Sequence, residues 1–193
     1  DEDAPRLICA GTAYKYLPEH DHVFVEIARR LGRCQFLFFV DMAPRLSRLL
    51  EDRLHLAFRA KGLDARRYVR FLPWQSRPAF FSLMRNADVY LDTIGFSGFN
   101  TAMQAIECGL PIVTCEGRFM RGRLAAGVLR RMGMDELVAR DAPSYVDLAV
   151  RLGDDFAHRV DVQRRIAARR DVLFGDLAPV RALEGFLAGL AGR

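Results

Sequence analysis

Lysine is almost missing from this chain. Of its 29 basic residues only two, Lys15 and Lys61, are lysines and 27 are arginines, so no lysine-rich tract exists and the use of each ammonium group becomes a question. Long apolar runs are missing too: no 18 consecutive apolar residues occur, which excludes a membrane-spanning helix, and the acidic opening DEDAPRL does not read as a signal peptide. Cysteine is sparse and unpatterned. Cys9, Cys34, Cys108 and Cys115 form neither a CxxC pair nor a Cys/His spacing able to hold zinc, and they fall in or beside predicted strands and helices. Free, buried, inert thiols in a reducing cytoplasm are expected. His20, His22, His55 and His158 offer no metal pattern either: His20 and His22 would lie about 200° apart on a helix, and all four read as solvated surface residues. No metal site is expected.

What is present is enough apolar material for one core, 51% of 193 residues. The expectation is a single domain over 1–193, with a core at about 6–140 and a helical segment at about 142–193. The abrupt acidic start suggests a piece of a longer polypeptide. A net charge of +5 could suit nucleic acid, yet the arginines are scattered through helical patterns and no basic stripe interleaved with aromatics occurs. Nucleic acid is not expected. An anionic small molecule, or an acidic partner domain, fits better.

Strand and helix patterns alternate along the chain. Arg6 to Ala10 reads as a strand, and Asp21 to Leu31 as a helix with Val23, Ile27 and Leu31 four apart. QFLFFV at 35–40 reads as a strand buried on both faces, followed by a helix opened by Pro44 and ended near Gly62. Further strands are predicted at 68–72, 88–92 and 111–115, with helices at 78–86 and from Asn100. Beyond Gly117 come a helix over 120–131, a short strand over 136–138, and helices over 143–153, 156–173 and 179–190. This alternation predicts an α/β fold: a Rossmann-like, doubly wound parallel sheet with the C-terminal helices packed back on it.

The segment LDTIGFSGFNTAMQAIECGLPIVTCEG, 91–117, carries the clearest chemistry. A strand ending at Asp92 feeds a loop with Gly95, Ser97 and Gly98, and the helix from Asn100 directs free N–H groups and its positive dipole end at that loop. A diphosphate is the simplest anion for such a place. On this helix Ala102, Met103, Ala105 and Ile106 share one side, and Asn100, Thr101, Gln104 and Glu107 the other. Asn100 and Thr101 can serve the phosphate end while Gln104 can reach a ribose hydroxyl; a plain solvated face with Asn100 as N-cap is the alternative.

Taken together, AYKYLPE at 13–19, ADVYLDT at 87–93, the Asn100-Thr101 pair, GLPIVTCEG at 109–117, RLAAGVLRRMGMDELVA at 123–139 and YVDLAVRLGDD at 145–155 resemble the O-linked N-acetylglucosamine transferase family, including its bacterial and SPINDLY-type members. The resemblance runs in order over nearly the whole chain. It corresponds to the C-terminal, nucleotide-sugar-binding half of a GT-B catalytic region. It implies that Lys15 contacts the donor diphosphate and stabilises the leaving group, where a cation offsets developing charge. It further implies that Thr12 helps hold the donor, that the Gln75 backbone, Arg77 and Phe80 read and stack on the nucleobase, and that Ser97, Gly98, Phe99, Asn100, Thr101 and Gln104 line the phosphate and ribose end. Phe80 as ordinary helix core remains the alternative for that residue.

The chain departs from the family at several points. Phe99, Asn100 and Thr101 stand where a His-Thr-Thr run is usual, Arg77 where a lysine is, Phe80 where a histidine is, and Gln104 where a ribose-binding aspartate is. Glutamine lacks the charge-assisted bond of a carboxylate, and Glu107, one turn on, is a candidate replacement. The reading that follows is the donor-binding domain of an inverting, metal-independent glycosyltransferase moving a sugar from a nucleoside diphosphate, UDP-GlcNAc first, to protein Ser/Thr hydroxyls. No DxD-like pair stands in the donor loops. A protein acceptor, a missing N-terminal half and upstream helical repeats are the implied partners. A degenerate nucleotide-binding module and another GT-B enzyme, such as a sugar-nucleotide epimerase, stay open as alternatives; a flavodoxin-like response domain lacks its acidic cluster.

Overall fold

The computed structural model describes residues 4–42 and 44–191. Its centre is a six-stranded, wholly parallel sheet in the order β3-β2-β1-β4-β5-β6. The strands are β1 (Arg6–Cys9), β2 (Gln35–Phe39), β3 (Val69–Leu72), β4 (Val89–Leu91), β5 (Ile112–Cys115) and β6 (Val138–Ala139). Order reverses between β1 and β4, and a doubly wound sheet opens its ligand crevice at that switch point, beyond the carboxyl ends of the strands. The central strands are apolar on both faces because helices cover both: Leu7, Ile8, Phe36, Val89, Ile112 and Val113 are fully buried. Register is tight, with Leu7 opposite both Phe36 and Val89.

The helices are α1 (Asp21–Leu31), α2 (Pro44–Arg59), α3 (Arg77–Arg85), α4 (Asn100–Glu107), α5 (Leu124–Arg131), α6 (Ala142–Asp154), α7 (Phe156–Arg169) and α8 (Ala178–Ala191). α1 packs against α2 and α6, and α4 against α5; the reversal of strand order between β1 and β4 is the arrangement that places helices on both faces of a doubly wound sheet. α2 shows the logic of a surface helix. Pro44 fits its first turn, where a missing N–H costs nothing, and Leu50, Leu54 and Phe58 make one buried stripe at helical spacing. α6 is fixed at its start by a capping box in which the Asp141 carboxylate accepts from the Ser144 N–H at 2.8 Å.

Several expected boundaries move. Residues 120–122 form a 3-10 turn and α5 starts only at Leu124, β6 lies at 138–139 rather than 136–138, and α7 ends at Arg169 with a 3-10 turn to Leu173. The expected return of the terminal helices onto the sheet holds for α6, which packs on β4, β5 and β6, and α7 packs in turn on α6; together they bury Tyr145, Val146, Leu152, Val162 and Ile166. It does not extend to α8, exposed along residues 178–190, where Val180, Leu183, Phe186, Leu187 and Leu190 are half exposed or more. The three cysteines in strands or strand entries, Cys9, Cys34 and Cys115, are buried free thiols and Cys108 is half-buried. Burial pushes the Cys34 thiol up to about 12. None of the four histidines is buried: His22 is exposed, and His20, His55 and His158 are partly covered.

Candidate functional site

The loop after β1 is the first piece of the site. Gly11 donates its N–H to the Tyr16 hydroxyl at 3.0 Å, Ala13 donates to Asp41 Oδ2 at 2.7 Å, and the Tyr16 carbonyl accepts from Arg53 at 2.7 Å. Arg53 also grips the buried Asp21 through Nε at 2.6 Å, so α1 and α2 together hold the short 3-10 turn Ala13–Lys15 in place. Every bond falls on the backbone around Lys15 and leaves its side chain free to face the neighbouring loop. Lys15 Nζ lies 4.7 Å from the centroid of the Phe96 ring, within cation–π range. Arg121, from the loop after β5, lies 6.0 Å from the same centroid. Neither cation has an ion-pair partner among the described residues. Two cations sharing one ring without a carboxylate make a spot that an anion would relieve.

The loop after β4 is organised by a carboxylate that sequence reasoning left without a task. Asp92 is 2% exposed and accepts from Ser97 Oγ at 2.6 Å, the Gly98 N–H at 2.8 Å and Thr114 Oγ1 at 2.7 Å, while its carbonyl accepts from the Tyr145 hydroxyl at 2.8 Å. Burial raises its pKa, and the hydrogen bonds partly oppose that. A buried carboxylate must be paired in this way or pay several kcal/mol, of the order of 2–7 even for a neutral polar group. The signal was available: an aspartate closing a fully apolar strand has to find donors. Gly98 comes so close to its surroundings that a Cβ there would lie 2.5 Å from Thr101 Oγ1 and 3.0 Å from the Tyr90 hydroxyl. Those two hydroxyls bond each other at 2.7 Å and tie the first turn of α4 to β4. Gly95 supplies the left-handed residue of the loop, at φ 82°.

α4 begins at Asn100, with Phe99 as the flanking residue and no side-chain cap. Asn100 is thus the first helical residue and not the N-cap. Its turn keeps the unsatisfied N–H groups and the positive dipole end that favour an anion. The helix buries Ala102, Ala105 and Ile106, and leaves Asn100 and Glu107 exposed, with Thr101 and Gln104 intermediate.

A cleft of about 440 Å³ opens over the carboxyl ends of β1, β2 and β3 against α4. It brings together Thr12, Gln75, Arg77, Phe80, Thr101 and Gln104 from the predicted set. Thr12 Oγ1 is buried and has no hydrogen-bond partner among the described residues, an unmade bond worth about 1–3 kcal/mol. Arg77 is exposed with its guanidinium 5.4 Å from the Phe81 ring, and Phe81 itself is core, at 6% exposed. Phe80 is half-buried and sits edge-on to Phe39 at 5.2 Å, so much of its ring is spent on packing. Gln75 turns its amide back to the Pro73 carbonyl at 2.7 Å.

Other predicted residues stand elsewhere. Ser97 is 1% exposed and its hydroxyl is consumed by Asp92 and by the Ala125 N–H at 2.9 Å, so its side chain builds the loop. Phe99 is 51% exposed and does not line the cleft. Glu107 ends α4 about 10 Å along the axis from Asn100, with its carbonyl accepting from Arg170 at 2.7 Å, and it does not line the cleft. Trp74, Asp41 and Met42 do line it, and sequence reasoning gave them no part.

Comparison with known proteins agrees with this geometry. The family model for Glycosyl transferase family 41 matches residues 10–176. A UDP-N-acetylglucosamine–peptide N-acetylglucosaminyltransferase of Caenorhabditis elegans is 34% identical over 106 residues, 55% of this chain and 9% of that protein. The solved structure of a Thermobaculum terrenum O-GlcNAc transferase mutant superposes with a TM-score of 0.83 at 27% identity, over 96% of this chain and 35% of that one. The solved structure of trehalose-6-phosphate from Escherichia coli bound with UDP-2-fluoro glucose shares the fold, with a TM-score of 0.65 at 16% identity, over 98% of this chain and 44% of that one. The chain therefore spans about a tenth of the curated relative and about a third of the T. terrenum chain. A doubly wound sheet with a cleft between the ends of β1, β2 and β3 and the start of α4, matched over 10–176, makes this chain a member of glycosyl transferase family 41.

Proposed function

We propose that this chain is the donor-binding part of a glycosyltransferase that moves a sugar, N-acetylglucosamine from UDP first among candidates, onto protein Ser/Thr hydroxyls. The observation that carries the reading is that the chain leaves the cleft wall at Thr12 and turns directly into Lys15, whose ammonium meets the Phe96 ring. The cleft gathers Thr12, Gln75, Arg77, Thr101 and Gln104, and the unpaired ammonium of Lys15 rests on Phe96, just ahead of the uncapped start of α4. A nucleoside in the cleft would direct its diphosphate toward Lys15 and the first-turn N–H groups. As the bond from the anomeric carbon to the diphosphate breaks, negative charge grows on the departing oxygen, and preorganised donors there lower the barrier. The acceptor hydroxyl attacks from the opposite side with inversion, deprotonated by a group outside this chain. Metal-independent transfer and a cytoplasmic setting belong to the same reading.

Calorimetry with UDP, GDP and their sugars against wild type and Lys15→Ala tests it. Binding of at least one nucleotide is expected, weakened by about tenfold or more in Lys15→Ala, as fits the loss of a charged contact of about 1.5–3 kcal/mol. No binding by any nucleotide would remove the donor-domain reading. Binding untouched by Lys15→Ala would remove only the role of Lys15.

A further inference from the structure

We infer that the nucleoside is held by a pair of residues on the β2 and β3 side of the cleft: Trp74 as the stacking platform for the base and Asp41 as the carboxylate for the ribose hydroxyls. The inference rests on the donor-site reading above and changes which residues carry the nucleoside within it.

Trp74 is the only tryptophan in the chain and is 71% exposed while lining the cleft. Indole rings bury readily, so one left open at a cleft wall has a face for a flat partner. It stands between Pro73 and Gln75, in a turn closed by the Gln75 amide on the Pro73 carbonyl, and Ser76 caps α3 immediately afterwards. The platform is therefore anchored at both sides. Phe80 is a weaker candidate, because its ring is half-buried and packed edge-on to Phe39.

Asp41 follows β2 and lines the same cleft. Its orientation is fixed at two points: Oδ2 accepts from the Ala13 N–H at 2.7 Å, and its own N–H donates to Ser47 Oγ at 2.9 Å. Oδ1 takes no hydrogen bond and the carboxylate has no ion pair among the described residues. A fixed carboxylate with one free oxygen in a cleft suits a pair of vicinal hydroxyls, and in doubly wound folds the end of the second strand is where ribose is met. Gln104 on the opposite wall is neutral, and Glu107 is outside the cleft. Asp41 thus supplies the charge-assisted acceptor that α4 lacks.

Because Trp74 is alone, its fluorescence reports on this contact directly. The 193-residue chain is titrated with UDP and with GDP, with absorption by the nucleotide corrected against free N-acetyltryptophanamide, and calorimetry is run in parallel. Saturable quenching is expected at the calorimetric affinity. Trp74→Ala should weaken binding about tenfold, at the low end of base–aromatic stacking, and Trp74→Phe should recover most of it. Asp41→Asn keeps an oxygen for the Ala13 N–H but loses the charge; it should weaken UDP about tenfold and leave 2′,3′-dideoxy-UDP unchanged. Urea midpoints of the three variants within error of wild type exclude a folding cause. Calorimetric binding without quenching, or equal losses for UDP and its dideoxy form in Asp41→Asn, would overturn the pair while leaving the donor site standing. Absence of all nucleotide binding would overturn both.

Discussion

Gly98→Ala adds one methyl group and tests the architecture of the β4–α4 loop. The new Cβ would lie 2.5 Å from Thr101 Oγ1, 3.0 Å from the Tyr90 hydroxyl and 3.6 Å from Asp92 Oδ1. The first distance is too short to survive and the second is tight, so the Thr101 hydroxyl must move and its 2.7 Å bond to Tyr90 is lost or strained. Tyr90 is 1% exposed and its phenol would lose its partner, at about 1–3 kcal/mol. Overpacking adds about 1–3 kcal/mol. The sum, about 2–6 kcal/mol, is a large part of a stability of about 5–15 kcal/mol. It should lower the urea midpoint by about 1–2 M. Thr101→Ala removes the nearest obstacle, so the double variant should cost at least about 1 kcal/mol less than the two single losses added, a coupling that distant sites do not give. Gly127→Ala is the internal contrast. That glycine is in α5 with open space around its would-be Cβ, and the same substitution should stabilise by about 0.5–1 kcal/mol. A Gly98→Ala loss under about 1 kcal/mol, or additivity with Thr101→Ala, would refute the packing argument.

Thiol chemistry should follow burial. In native protein at pH 8, Cys34, pushed up to about 12, holds a thiolate fraction of about 10⁻⁴, and Cys9 is raised by burial as well; mass spectrometry after iodoacetamide should find Cys108 labelled first and all four only in denaturant. Asp92 is raised above the ordinary carboxylate range by burial, and a group raised in the fold contributes fully below its unfolded value and loses that contribution as pH rises through the folded one. The stability difference between wild type and Asp92→Asn in urea should therefore fall as pH climbs from about 4, and a difference that grows would contradict burial as the dominant cause. Arg53→Met leaves the Asp21 carboxylate, 8% exposed in its side chain, without its ion pair, and should cost about 2–4 kcal/mol, near the range for breaking a buried pair. Amide exchange across residues 12–20 should then quicken, since Arg53 also holds the Tyr16 carbonyl.

The sheet was legible because its evidence is local. Apolar runs such as QFLFFV and PIVTC have few alternatives once helical periods separate them, and β2 and β5 fall within a residue of their expected bounds. The errors are where distant contact overrides pattern. Residues 120–122 read as helix, but Gly122 closes against Gly117 through a 2.8 Å hydrogen bond and delays α5. α8 reads as one more returning helix, and nothing in its period says that its apolar face would stay open. In the site, the glycine loop and the helix start form a local signature, whereas Lys15 takes its expected part from the family resemblance and not from its neighbours in sequence. Asp41 and Trp74 could not be found from a local signature. Each looks ordinary in sequence, Asp41 as punctuation before Pro44 and Trp74 as a loop residue, and each gains its meaning from a partner 28 positions away or from a cleft assembled by four elements.

That difference bears on the departures within α4. If donor recognition were a property of the helix alone, Gln104 in place of a carboxylate would mark a site losing its charge, and Glu107 would be the only remedy on that element. The cleft does not belong to one helix. Its walls come from the ends of β1 and β2, the loop before α3 and the start of α4, so a carboxylate lost from one wall can be supplied by another, and Asp41 stands on the wall built by the end of β2. The same holds for the end proposed to take the diphosphate, where Lys15 from the β1 loop and Arg121 from the β5 loop meet over Phe96 from the β4 loop. Charge in such a site is set by which loops converge. On the donor-site proposal, a comparison confined to one element would therefore undercount the charge available to the nucleotide.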